Sequence, residues 1–255
     1  MLRMGRILHL FLSVLLWLGV ASAASGPVVL DIGHQSTSGG AQTPDGKINE
    51  FAFWLRYAGD VQKVVQEAGY DCILTNRGNP PAKGKSGEVL YMKRPDKNAK
   101  RYPSRHYPAH IGAGMVCADY AIDIKARCVV FLHLNCITGK WSTQPPKGLI
   151  ICNRIHGHAL AESICQSMRE VLLDKPGGLP NAGKGIKVLP RYIGSQPSAG
   201  WMNALDEAGI PSAVFEAVYV DNRAHAAFIS DDKNARKLAR TIGAGIVRWL
   251  QGADK

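Results

Sequence analysis

The sequence predicts an α/β fold: a single three-layer domain with a mostly parallel central sheet flanked by helices. Two observations lead to this prediction. Short apolar runs alternate with longer segments of helical periodicity along the 255 residues, which is the pattern of βαβ units. Apolar residues make up 46% of the chain, so a sizeable core is available and the composition is not that of a disordered chain.

The first strand and helix have the clearest signals. Val28–Ile32 is apolar at every position except Asp31 and predicts a buried strand. Residues 50–68 carry apolar side chains at three- and four-residue spacing and predict an amphipathic helix. Asn49 suits the N-cap of this helix and Gly69 its C-cap. A second strand is predicted over residues 70–74.

Residues 76–110 form a long segment rich in Pro, Gly, Lys and Arg. A connection of this length is usually functional or disordered, so we expect a basic loop or lid with a short helix at residues 89–92. Solvation is the expected state of its basic side chains. Over residues 83–105 these are Lys83, Lys85, Lys93, Arg94, Lys97, Lys100, Arg101 and Arg105.

The rest of the chain continues the alternation of strands and helices. The predicted elements are a helix over residues 111–124, strands over 127–134 and 149–152, a helix over 155–173, strands over 188–193 and Ser212–Glu216, and a helix over 232–250.

The N-terminus has the three parts of a secretory signal peptide. Arg3 and Arg6 precede an apolar stretch over residues 7–20, and the small residues Ala-Ser-Ala follow it. A membrane anchor is the alternative, but the stretch is shorter than the ~20 residues that span a bilayer. We therefore expect residues 1–23 to be removed and residues 24–255 to form the mature domain.

The chain is strongly basic. Its formal net charge is +11, and loss of two arginines with the leader leaves 29 basic and 20 acidic residues, a net charge of +9. Such a surface favours an anionic partner: nucleic acid, a membrane surface or an acidic polymer. The basic residues are scattered and no nucleic-acid recognition motif accompanies them, so we expect no nucleic-acid partner.

Six cysteines lie in the predicted mature chain, and none is in CxxC spacing. A structural Cys-type zinc site is therefore disfavoured. Several of them lie in apolar runs, where a free buried thiol is common. An even number in an exported protein permits disulfides, and we expect one or two of unknown pairing. The cysteines are Cys72, Cys117, Cys128, Cys136, Cys152 and Cys165.

Three ionisable residues lie at the carboxyl ends of predicted strands. His34 follows Val28–Ile32, His133 ends an apolar run, and Glu216 ends Ser212–Glu216. Ligands of open α/β sheets bind at this edge, where a charged group reaches water and avoids the cost of burial. The pattern predicts a functional site there.

Glu50 opens the predicted helix, where the helix dipole favours a carboxylate. Two histidines and one glutamate are a known ligand set of catalytic zinc. His34, Glu50 and His133 are therefore candidate zinc ligands, with Glu216 as a candidate base. Taken singly, each has an ordinary alternative: a loop histidine, a first-turn glutamate or a strand-end ion pair. The HExxH pattern of another zinc class is absent.

Four motifs in order resemble the zinc-dependent N-acetylmuramoyl-L-alanine amidases. Residues 28–35 (VVLDIGHQ), 46–50 (GKINE), 131–135 (FLHLN) and 211–222 (PSAVFEAVYVDN) are similar to that family's DPGHGG, NE, SIHAN and PxxLVExGFxxN. Residues 69–77 are similar to its GYxVxLTR strand. The likeness covers almost all of the mature chain.

The chain departs from these motifs at several positions. Ile32 stands where proline is usual, Gln35 where glycine is usual, Phe131 and Leu132 where serine and isoleucine are usual, and Val218 where glycine is usual. None of these changes removes a ligand or the base, although they change the residues that shape the loops.

The resemblance implies the zinc ligands His34, Glu50 and His133, the catalytic glutamate Glu216, and Asn135 as a residue that supports the site. For Asn135 a turn residue is the equal alternative. The implied enzyme is an exported hydrolase on a phosphorylase/hydrolase-like fold that cuts the amide between N-acetylmuramic acid and L-alanine. Zinc-bound water is the implied nucleophile and Glu216 the general base and acid.

The implied partners are peptidoglycan or muropeptides and an activator protein. The implied location is the periplasm or the medium outside the cell. No membrane span is expected to remain after the signal peptide is removed. Two rival functions stay open: a zinc peptidase that cuts within the stem peptide, and a non-catalytic wall-binding module. For residues 83–105 the alternative to a solvated loop is that their basic side chains bind carboxylates of the wall peptide.

The remaining polar candidates have weaker signals. Asp31 lies in the first motif and is a minor candidate. His156 and His158 are interpreted as helix-start residues. No role is assigned to His106, His110 and His225.

Overall fold

The computed structural model describes residues 26–34, 39–77, 89–92, 112–144, 147–181, 184–190 and 200–254. Within them the chain forms a three-layer α/β domain, as the sequence predicts. The predicted signal peptide and most of the predicted loop lie outside the described residues, including the basic side chains of residues 83–105 and both histidines of the loop.

The central layer is a sheet of seven strands among the described residues, in the order β3-β2-β1-β4-β7-β5-β6. Neighbouring strands run parallel except β5 and β7, which are antiparallel. The strands are β1 (Val28–Ile32), β2 (Cys72–Arg77), β3 (Val89–Met92), β4 (Cys128–Leu132), β5 (Gly148–Cys152), β6 (Ile186–Pro190) and β7 (Ser212–Glu216).

Helices cover both faces of the sheet. They are α1 (Glu50–Glu67), α2 (Gly112–Asp123), α3 (His158–Val171), α4 (Gly200–Glu207), α5 (Arg223–Ser230) and α6 (Asp232–Ala253). One face is covered by α1, α3 and α6, with α6 packed against both of the others, and the other face by α2 and α4.

Alternate residues of the central strands supply the two halves of the core, because successive side chains of a strand point to opposite faces. Val28 and Leu30 belong to the cluster on the α1 face together with Trp54, whereas Val29 and Phe131 belong to the cluster on the α2 face. Strands β1 and β4 are fully buried, which explains why β4 is apolar throughout and β1 at every position except Asp31.

Two sequence predictions are wrong in this part of the chain. Residues 89–92, predicted as a short helix, form strand β3, which pairs in parallel with β2. Residues 76 and 77, assigned to the loop, complete β2. The helices α4 and α5 were not predicted, because each has only eight residues, too few to establish a helical period.

The predicted disulfides are also absent: all six cysteines lie in the described part of the chain and are free. Cys72 and Cys128 both pair with Val28, from opposite sides of β1. Two strand spacings separate their Cα atoms by about 9.6 Å, which is beyond the roughly 7 Å limit for a disulfide. Their fixed places in the sheet therefore keep them as core thiols.

No helix in the described residues is both long and apolar enough to cross a membrane.

Candidate metal centre and active site

The site lies where three neighbouring parallel strands end. Ile32 is in register with Leu132, and Leu132 with Phe215, so the residues that follow these strands emerge at one edge of the sheet. The backbone pairing continues one residue further, since the His133 N–H donates to the Phe215 carbonyl at 3.0 Å. The sheet thus brings the segments that carry His34, His133 and Glu216 to the same edge.

Glu50 reaches this edge from the start of α1. The Asn49 side chain caps the helix by accepting the Ala52 N–H at 3.1 Å. A hairpin of residues 41–50 precedes the helix, with the Glu50 N–H donating to the Ala41 carbonyl at 2.9 Å. The cap and the hairpin together fix the direction of the Glu50 side chain.

His34, Glu50 and His133 meet at one point. The Glu50 Oε2 lies 3.2 Å from His34 Nε2, and Glu50 Oε1 lies 2.9 Å from His133 Nδ1. One ligand atom from each residue lies within 4.8 Å of the other two. Glu50 is 1% exposed, while the side chains of His34 and His133 keep 35% and 16% of their surface open.

The Glu50 carboxylate is held in its charged form. Burial alone would raise its pKa, but hydrogen bonds from His133 and His34 and their charges outweigh burial and lower the pKa to about 2. The backbone N–H groups of Leu134 and Ala41 also donate to Glu50, at 2.9 and 2.6 Å. The charged carboxylate of Glu50 is therefore stabilised by four hydrogen-bond donors.

The electrostatics around His34 favour a cation. Burial acts to lower the pKa of His34, but its hydrogen bond to Glu50 and the charges of Glu50 and Glu216 outweigh burial, so the pKa is raised. A divalent cation is favoured by the same negative groups. Two imidazoles and one buried carboxylate are the donor set that zinc takes in catalytic sites, so the residues present fit a zinc ion.

Backbone features around this cluster were missed by the sequence reasoning. His34 has a left-handed backbone with φ of 68°, which is strained for a residue with a side chain. A Cβ on Gly40 would lie 2.4 Å from Glu50 Oε2, and a Cβ on Gly33 would lie 2.5 Å from His133 Cε1. The histidines and the glutamate thus pack directly against glycine backbone.

Replacing Gly33 with alanine is expected to displace the His133 ring and lower zinc affinity at least about tenfold, which is the lower range for loss of an outer-shell contact. Overpacking should also cost about 1–3 kcal/mol of unfolding free energy. Zinc titration and denaturant unfolding measure both effects.

Gly59→Ala is the matched control, because no atom lies within 4 Å of a Cβ placed at this position in α1. It should leave zinc affinity unchanged and stabilise the helix by about 0.5–1 kcal/mol. Equal zinc affinities in the Gly33→Ala and Gly59→Ala proteins would contradict the packing argument.

Glu216 ends β7 beside the cluster and contacts Asn135. The Asn135 Nδ2 donates to Glu216 Oε2 at 3.2 Å, and the Asn135 Oδ1 accepts the Cys136 N–H at 2.8 Å. A bridge to Tyr219 holds the Asn135 backbone against the segment that follows β7. Asn135 therefore orients the Glu216 carboxylate.

Asp221 organises the loop that carries Asn135 and was also missed by the sequence reasoning. Its Oδ2 accepts the Ile137 and Thr138 N–H groups at 2.9 and 2.8 Å. Burial would raise the pKa of Asp221, but these hydrogen bonds, with one from Cys136, lower it. The carboxylate thus ties the loop after β4 to the segment after β7.

The other candidates lie outside the cluster. Asp31 is fully buried in β1 and accepts the Thr75 hydroxyl at 2.6 Å. His225 is buried in α5, where burial lowers its pKa despite a 2.7 Å contact of Nε2 with the Pro180 carbonyl. His158 is the first residue of α3 and His156 lies two residues before it, as expected of helix-start residues.

Comparison with known proteins gives a family match for the sequence. A family model described as N-acetylmuramoyl-L-alanine amidase matches residues 28–248. None of the curated proteins compared with the chain matches it in sequence.

Solved structures share the fold at low sequence identity. The CwlD amidase of Clostridioides difficile, solved in complex with the GerS lipoprotein, is 18% identical with a TM-score of 0.62, over 89% of this chain and 99% of that one. The amidase AmiC2 of Nostoc punctiforme is 15% identical with a TM-score of 0.60, over 89% and 98%. The catalytic domain of CwlV from Bacillus (Paenibacillus) polymyxa is 17% identical with a TM-score of 0.59, also over 89% and 98%.

Proposed function

Since the chain belongs to the family of N-acetylmuramoyl-L-alanine amidases, and is therefore an amidase of peptidoglycan, we propose that it is an exported zinc enzyme. Zinc binding is supported by the positions of His34, Glu50 and His133, whose ligand atoms lie within 4.8 Å of one another. In this proposal the three residues hold zinc and Glu216 is the general base and acid.

The proposed metal has a defined chemical part. When bound, zinc polarises the scissile carbonyl and lowers the pKa of water to about 7. Two histidines and Glu50 leave the further coordination position that a catalytic site needs. His34 Nε2 and His133 Nδ1 lie 3.2 and 2.9 Å from the buried Glu50 carboxylate, so the ligand atoms of the three residues already face one point.

Glu216 moves the protons in the proposed reaction. Water adds to the carbonyl carbon of the lactyl group, and the Glu216 carboxylate accepts the proton that water loses. The carbon–nitrogen bond then breaks, and Glu216 delivers the proton to the departing alanine amine. The Asn135 amide, 3.2 Å from Glu216 Oε2, keeps the carboxylate in one orientation during both transfers.

Location and partners complete the proposal. The leader over residues 1–23 supports export to the periplasm or the medium, where peptidoglycan and muropeptides are found. A protein activator is included because CwlD of Clostridioides difficile was solved in complex with a lipoprotein.

A digest of purified peptidoglycan by the chain from residue 24, with and without a chelator, tests the proposal. We expect release of stem peptides that begin with alanine from intact glycan, and loss of this release when zinc is removed. Mass spectrometry identifies the products.

Each other result of the digest has its own meaning. Cleavage within the peptide would replace the proposed bond, and cleavage that survives the chelator would remove zinc from the mechanism. If the chain is inactive but binds one zinc ion, the conclusion is that the enzyme needs its activator. An inactive chain without zinc would contradict it.

A further inference from the structure

A recess lies between the hairpin of residues 41–50 and the start of α5. Its volume is about 220 Å³, which is smaller than the roughly 300–1,000 Å³ of sites that enclose a drug-sized ligand. It therefore suits one amino-acid residue. The side chains that matter for the argument are Lys47, Ile48, Trp141, Arg223 and Ala227.

Arg223 gives the recess a cationic wall. Its guanidinium lies over the Trp141 ring, 4.9 Å from the centroid, and its backbone N–H donates to the Ser142 carbonyl at 2.9 Å. The ring and the backbone contact hold the guanidinium at the recess while its side chain stays exposed. The free hydrogen-bond donors of a guanidinium match a carboxylate in geometry.

The position of this cation is unfavourable for the fold. Arg223 is the first residue of α5, and the positive end of a helix dipole disfavours a cation there. The other cation of the recess, Lys47, is 80% exposed and lies 3.2 Å from Asp45. The recess thus has two cations and one anion, and a bound anion would offset the excess positive charge.

Both walls of the recess continue from segments that carry the site. In the hairpin, the Thr43 N–H donates to the Ile48 carbonyl, and Ile48 precedes Glu50 by two residues, about 7 Å at the usual rise of a strand. On the other side, Ser142 bridges to Asn222. The recess therefore lies within reach of a substrate whose scissile amide is at the metal cluster.

We propose that this recess is a substrate subsite in which Arg223 binds a free carboxylate of the stem peptide, beyond the scissile amide. The inference rests on the proposed amidase function. Ile48 and Ala227 supply the apolar surface for the aliphatic part of that residue. A stacked sugar is disfavoured, because Arg223 already covers one face of Trp141.

The test compares two N-acetylmuramoyl tripeptides, one with free carboxyl groups and one with those groups amidated. The wild type should have a lower KM for the free acid. Arg223→Gln should raise that KM at least about tenfold with kcat unchanged, and should not change the KM for the amidated compound. Arg223→Lys should restore part of the preference.

Arg154→Gln is the matched control, since Arg154 is also exposed but follows β5, which runs opposite to the strands that lead to the site. It should leave both KM values unchanged. A wild type without preference, or an Arg223→Gln protein impaired equally on both compounds, would overturn the subsite alone. A wild type that cleaves neither compound and binds no zinc would overturn the proposed function and the subsite together. If the wild type binds zinc but cleaves neither compound, the two dissociation constants are compared instead, and equal values would overturn the subsite alone.

Discussion

Replacing Glu216 with glutamine is expected to lower kcat by about 10²- to 10⁴-fold, the range that one positioned general base contributes. The amide has the shape of the carboxylate and its oxygen still accepts the Asn135 Nδ2–H, which lies 3.2 Å from Glu216 Oε2. The fold and the zinc ligands should therefore be preserved while the proton acceptor is lost. Turnover of a muropeptide and zinc content per chain measure the two effects separately.

Glu67→Gln is a matched control for this change. Glu67 is exposed at the end of α1 and forms a 3.7 Å ion pair with Lys63, and exposed pairs of this kind contribute little. Its turnover and zinc content should equal those of the wild type. A Glu216→Gln enzyme that turns over near the wild-type rate would remove Glu216 from the role of base.

The sequence predicted the parts of the fold that depend on long, unbroken patterns. Strands β1, β4 and β7 are buried along almost their whole length, so their apolar runs were visible and their ends could be located. The ends of these strands are also where His34, His133 and Glu216 lie. That edge was predictable because the direction and order of parallel strands bring their carboxyl ends together.

The contacts that shape the site were not predictable from pattern. Nothing in the sequence marks Gly33 as the surface on which the His133 ring rests, because 100 residues separate them and only the pairing of β1 with β4 joins them. The same holds for Asp221, whose carboxylate binds backbone N–H groups 83 and 84 residues earlier. Tertiary structure decides both.

Local signals also failed where tertiary pairing outweighed them. Strand β3 is a four-residue edge strand, and its place is set by β2 rather than by its own composition. The even number of cysteines suggested disulfides, but the separation of Cys72 from Cys128 by β1 excludes that pair. The number of cysteines gives no information on which strand lies between two of them.

The second large effect is expected from His34→Ala, which removes one of the three proposed zinc ligands. Loss of an outer-shell partner alone costs roughly 10- to 100-fold in affinity, so loss of a direct ligand should cost more and abolish turnover. Because a ligand that binds only the folded state stabilises it, the chelator should lower the Tm of the wild type and leave that of His34→Ala unchanged. His158→Ala, which removes an exposed histidine 4.0 Å from Glu162, should behave as the wild type.

The backbone of His34 allows a sharper form of the same test. With φ of 68°, His34 occupies a left-handed conformation that costs an ordinary residue roughly 1–2 kcal/mol and glycine almost nothing. In the absence of zinc, His34→Gly should therefore be at least as stable as the metal-free wild type, although it too loses zinc and turnover. Stability retained without function would mean that the strained histidine is kept for the metal. A His34→Gly protein that unfolds more easily than the metal-free wild type would instead mean that the imidazole supports the fold through its 3.2 Å contact with Glu50.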